Sequence, residues 1–194
     1  TLCLELGGLR VGHHGLDLGG AARAGVDDEV VGVQAERTHL FDTGGVHFVP
    51  AFVGLGSPHW EAEARGTVTG LTRGTTRAHL VRAALEAMAF SSAELVELMR
   101  DDAHLGAGPL RVDGGASAND WLMQFLADAL EAQVERPDMF ETTALGAAGL
   151  AGITLGVWRD TAHFLEGRRF TRFEPASTSE ERKRGREGWD RAVH

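Results

Sequence analysis

Residues 110–130, LRVDGGASANDWLMQFLADAL, hold the side chains best placed by type and spacing to do chemistry. An apolar strand ends at Val112, Asp113 and two glycines make a turn, and an amphipathic helix starts within a few residues. A helix start offers unpaired N–H groups and a positive dipole end, which suit a phosphate. Gly114 and Gly115 remove Cβ atoms where a phosphate or a base would have to approach the backbone. Asn119, expected in the first helical turn, carries both a donor and an acceptor that could read a polar base edge. Spacing alone fits better a tight strand-to-helix turn without a ligand, because Gly-Gly turns are common.

The rest of the chain supplies little else of this kind. His13 and His14 lie among acids in a glycine-rich stretch, where two adjacent imidazoles fit exposed side chains better than a metal site. Cys3 is the single cysteine, so no intramolecular disulfide and no thiolate cluster can form, which fits a reducing cytoplasm. The net charge of −9 argues against a nucleic-acid binder, and the run Arg182, Lys183, Arg184 reads as a solvated helix face. No apolar run reaches the roughly 18 residues a membrane span needs. The opening TLCLELGGLRVGHH has no basic region ahead of its apolar run and makes a poor signal peptide. The missing initiator Met suggests a start inside a longer protein.

The elements that must position the turn follow from periodicity and punctuation. GVHFVPAFVGLG reads as a strand cut short by Pro50 and Pro58, and Thr67 to Thr69 as a second strand. A helix is predicted from Arg77 to Arg100, capped by Thr75 or Thr76, with Leu80, Ala84, Ala87, Leu95 and Leu98 as its apolar stripe. After the 110–113 strand, Ser117 is the expected cap of a helix whose Leu122, Phe125, Leu126 and Ala129 share one face. A brief strand around Val134 precedes Pro137. ETTALGAAGLAGITLGVW predicts a helix capped by Thr142 or Thr143, whose glycines imply a closely approaching neighbour. A final helix is expected from Thr178 towards Val193. Before residue 43, Gly-Gly pairs at 7–8 and 19–20 leave only a strand around Val30 to Val33 as a candidate. Strands alternating with helices make the domain α/β.

Three blocks carry a resemblance to a known family. The 110–130 stretch resembles the adenosine-binding segment of the FGGY carbohydrate kinases, which have the actin-like ATPase (ribonuclease H-like) fold. Residues 66–86, GTVTGLTRGTTRAHLVRAALE, are similar to the family signature through Gly66, Val68, Gly70 and Leu71, then His79 and Leu80, then Ala83 to Glu86. ETTALGAAGLAG at 141–152 resembles the last nucleotide-side helix. Within the family the phrases, in their order, read most like those of the glycerol kinases, and they run from Gly44 to the C-terminus.

The resemblance implies a C-terminal nucleotide-binding domain over residues 44–194, preceded by an atypical segment, 1–43, without family wording. It implies that the Gly115 backbone lies against the phosphates, that Gly114 shapes the turn and that Asn119 touches the adenine side. Thr143, Gly146 and Ala147 would pack beneath the site, and His79 and Glu86 would pack or cap. It implies ATP with Mg²⁺ as cofactors and phosphorylation of glycerol by a parent enzyme in the cytoplasm. Glycerol would be held by an N-terminal domain that also supplies the base, so no residue here is expected to be catalytic or to bind metal. Alternatives are a kinase for another sugar or polyol, a non-catalytic nucleotide-binding fragment, and an actin-like filament protein; the 66–86 signature argues against the last. A frameshift or a truncated gene would explain residues 1–43, and translating the upstream DNA in its other frames would reveal the missing helix phrase. An uncovered apolar cleft wall predicts association of copies into a homo-oligomer.

Overall fold

The computed structural model describes residues 3–6, 9–12, 42–104, 106, 108–139 and 141–194. The strand expected around Val30 to Val33 and the His13–His14 pair lie outside them. Within the 1–43 segment two strands appear that the glycine-rich text did not suggest, β1 (Cys3–Leu6) and β2 (Leu9–Gly12). They pair antiparallel with Leu6 opposite Leu9. Leu4, Leu6, Leu9 and Val11 alternate around Gly7-Gly8, which is a hairpin signal.

Strands β3 (His47–Val49) and β4 (Thr67–Thr69) form a separate two-stranded sheet, as expected from Val, Phe and Thr content. Helix α1 (Arg77–Asp102) follows. Thr76 caps it: its Oγ1 accepts the His79 N–H, while His79 Nδ1 accepts the Thr76 N–H at 3.1 Å. His79 therefore takes the place of the usual Glu or Gln in a capping box. Of the expected apolar stripe only Ala87 is buried. Leu80 is exposed, Ala84, Leu95 and Leu98 are half-buried, and the buried set is Ala83, Leu85, Ala87, Ala89, Phe90, Ser92, Ala93, Glu94 and Val96. The helix is covered on more than one side, so small residues line its closest contacts.

Strand β5 (Leu110–Asp113), helix α2 (Asp120–Leu130) and β6 (Val134–Pro137) form a parallel crossover. Helix α3 spans Thr142–Thr154 and the short α4 Thr161–Leu165. Strand β7 (Phe170–Phe173) then pairs antiparallel with β6, and α5 (Ser179–Val193) closes the chain under a Thr178 capping box. The main sheet runs β2-β1-β5-β6-β7. Leu110, Val112, Val134 and Phe173 from this sheet pack on Leu85, Ala89 and Val96 of α1 and Leu122, Met123 and Leu126 of α2. Burying each Leu or Val of this set favours folding by about 1.5–3 kcal/mol. A second cluster, Ala87, Phe90 and Trp189, ties α5 to α1.

The sheet register also aligns Arg10, Glu5, Arg111, Glu135 and Arg172 in one row across its five strands. Glu135 is buried between the Nε atoms of Arg111 at 3.3 Å and Arg172 at 3.1 Å. Arg182 is no solvated residue: it is largely buried and pairs with Glu131 at 3.1 Å, whereas Lys183 is exposed. No helix among the described residues is long and apolar enough to cross a membrane.

On α1, Arg82 Nε lies 2.7 Å from Glu86 Oε1, one turn on and also largely buried. Burial pushes the Glu86 carboxyl up from its ordinary value of 4.5, against the opposing pull of Arg82. The folded chain thus holds this proton more tightly than the unfolded chain does. Glu86 favours folding fully below about pH 4.5 and less as pH rises through its elevated folded value. In melting curves of the wild type and Glu86→Gln between pH 4 and 7.5, the wild type is expected to lose ground to the variant as pH rises. A difference that grows in the opposite direction would mean that Arg82 outweighs burial.

Candidate functional site

The turn singled out in the sequence lies at the end of β5, at the surface. Gly114 has φ 87° and ψ 169°, a region closed to residues with a Cβ except at a cost of about 1–3 kcal/mol. A short 3₁₀ turn, Gly115–Ala118, follows. Gly115 is exposed, and a Cβ built on it would meet nothing within 4 Å. Among the described residues neither the Gly115 nor the Ala116 N–H has a hydrogen-bond partner. The turn thus leaves two amides without partners beside an exposed glycine.

Ser117 does not cap α2. It is fully buried, and its Oγ donates to the Gly114 carbonyl at 2.7 Å, tightening the turn from inside. Asn119 is the cap: its Oδ1 accepts the Leu122 N–H at 3.0 Å. Asn is among the strongest N-cap residues, and that preference was the available signal. With one lone pair of Oδ1 engaged by the cap, Asn119 keeps its Nδ2 donors and the second Oδ1 lone pair for another molecule. Trp121, two residues on, stacks on Phe125 at 5.1 Å and carries the Arg82 guanidinium 4.2 Å above its ring.

Two distant residues grip this turn, and neither was visible from spacing. Thr142 Oγ1 donates to Asp113 Oδ2. Neither Thr142 nor Thr143 caps α3; Glu141 occupies that position without a side-chain cap bond. Arg136 on β6 donates from Nη1 to the Ser117 carbonyl at 2.7 Å and pairs with Asp120 Oδ1 at 2.7 Å.

Thr143, Gly146 and Ala147 do not pack beneath the turn; all three are exposed. The close approach that the α3 glycines implied occurs on the opposite face. There a Cβ on Gly149 would lie 2.5 Å from the Phe164 ring, and one on Gly152 would lie 2.1 Å from the Trp158 ring. Leu150, Leu155 and Val157 remain exposed. Among the described residues, no group of three or more His, Cys, Asp or Glu side chains converges to hold a metal ion.

The chain matches the model of the FGGY family of carbohydrate kinases, C-terminal domain, over residues 10–155. It is 55% identical over 152 residues to a glycerol kinase of Deinococcus radiodurans, covering 77% of this chain and 30% of that protein. It is 47% identical over 183 residues to glycerol kinase 1 of Clostridium tetani, covering 91% of this chain and 37% of that protein. The crystal structure of Plasmodium falciparum glycerol kinase with ADP superposes with a TM-score of 0.73 at 35% identity, over 86% of this chain and 33% of that one. The chain therefore spans about a third of the length of the curated relatives it matches.

Proposed function

The chain belongs to the FGGY family of carbohydrate kinases, on its C-terminal side, and from that premise we propose that it is the nucleotide-side domain of an ATP-dependent glycerol kinase. The observation that carries the reading is the open turn at Gly114–Ala118 with two unpaired amides, in a chain similar to a glycerol kinase solved with ADP. Gly115 would lie against the phosphates, Gly114 would shape the turn, and Asn119 would meet the adenine side through its Nδ2. Residues 44–194 form the nucleotide side in this reading.

Phosphoryl transfer needs positioned phosphates, charge neutralisation and a base at the attacking hydroxyl. This chain would supply the first through its turn amides. Mg²⁺, which spreads phosphate charge, has no ligand set of its own among the described residues, so no step is assigned to it here. The base and the glycerol-holding groups would come from the part of the relatives' length that this chain does not span. The proposed place of action is the cytoplasm, where ATP is drawn on.

A chimera tests the reading. Residues 44–194 replace the matching part of the Deinococcus radiodurans relative, and glycerol-dependent ATP consumption is measured. Activity within about tenfold of the parent is expected, with a loss of 100-fold or more on Gly115→Val, which fills the open side of the turn. A chimera indifferent to Gly115→Val would remove the nucleotide role. The isolated chain is expected to turn over no glycerol and to gain little melting temperature from ADP, since one wall of a cleft supplies part of the contacts.

A further inference from the structure

One side chain from a neighbouring strand holds both the 3₁₀ turn and the first turn of α2. Arg136 is largely buried; its Nη1 serves the Ser117 carbonyl and Asp120 Oδ1, both at 2.7 Å, and its guanidinium lies 5.3 Å from the centre of the Phe173 ring. We propose that Arg136 is a positioning residue for the nucleotide, acting through the Ser117 carbonyl to aim the Gly115 and Ala116 amides at the open side of the turn. This rests on the nucleotide reading above.

The geometry separates this role from simple fold support. Asp120 is 66% exposed, so its pairing with Arg136 contributes little by itself. The Ser117 carbonyl is a different matter. It accepts a charged donor at 2.7 Å, which fixes the peptide plane at the end of the 3₁₀ turn. The buried Phe173 ring, 5.3 Å from the guanidinium, keeps the Arg136 side chain from swinging away. Without the guanidinium the turn retains its inner Ser117–Gly114 bond but loses its outer anchor. The two free amides then sample orientations of which only a fraction suits a phosphate, and affinity falls by that fraction. Lys at this position restores a charge but not the planar fork braced on the Phe173 ring, so it should recover part of the effect.

The test is an ADP titration of the ¹⁵N-labelled chain to millimolar concentration, following the Gly115, Ala116 and Asn119 amides, with thermal midpoints measured in parallel. Wild type should show saturable shifts at these amides. Arg136→Gln should bind about tenfold more weakly, Arg136→Lys should fall between the two, and Asp120→Asn should stay within about threefold of wild type. Arg136→Gln binding as tightly as wild type overturns the proposal, as does Arg136→Lys failing to exceed Arg136→Gln. If Arg136→Gln does not fold, Arg136→Lys carries the test, and wild-type affinity in that variant overturns it. A wild-type chain whose turn amides ignore ADP removes both the nucleotide reading and the role of Arg136, whereas shifts unaffected by the substitutions remove the latter alone.

Discussion

Gly70→Ala is expected to lower the stability of the chain by about 4 kcal/mol, a large share of what a domain usually has. Gly70 follows β4 directly and has φ 75°. A Cβ at this position would lie 1.9 Å from the Gly45 carbonyl oxygen and 2.8 Å from its carbon. Both obstacles are backbone, so no rotamer change relieves the overlap; the β3–β4 pair has to open where His47 meets Thr69. Gly74→Ala, four residues on, is the control, because its nearest neighbour is the flexible Thr72 hydroxyl at 3.7 Å. Urea unfolding midpoints of the three proteins decide the matter. Equal midpoints for wild type and Gly70→Ala would mean that β3 and β4 do not approach as described.

Glu94→Ala is expected to cost about 3 kcal/mol and to loosen α5 from α1. The buried Glu94 carboxylate accepts the Trp189 indole N–H at 2.9 Å, sits 3.3 Å from His59 Nε2 and lies 3.7 Å from Arg186. Alanine leaves the buried indole N–H without an acceptor. Arg186 suffers less, since Glu97 and Asp190 also engage it. Glu94→Gln preserves an acceptor for the indole and should cost only about 1 kcal/mol. Helix content followed by circular dichroism through a denaturant series reads all three. An alanine variant no weaker than the glutamine variant would show that the indole contact contributes nothing.

The sequence exposed the elements whose ends are punctuated locally. Thr76 and Thr178 cap where expected, Pro50 and Pro137 bound short strands, and Leu122 and Leu126 face the core. It misled where burial is decided by several neighbours at once. Helix α1 touches the sheet, α2 and α5, so Ala89, Ala93 and Glu94 are buried while Leu80 is not. Strand β7 and helix α4 escaped notice because FTRF and TAHFL are too short to carry a period. At the candidate site the turn itself was readable, because two glycines between a strand and a helix leave few other shapes. Its grips were not: Thr142 and Arg136 lie 29 and 19 residues from their partners, a separation on which no local pattern bears. The mistaken cap had a local cause, since Ser117 and Asn119 both suit the position and only packing buries the serine.

The cation resting on Trp121 has a practical consequence. Of the four tryptophans in the chain, Trp121 alone stands next to the residue that Arg136 grips, with a positive charge on its face. Indole emission responds to the local electric field, so light from this ring carries a label-free record of the charge arriving at, or leaving, the neighbouring backbone.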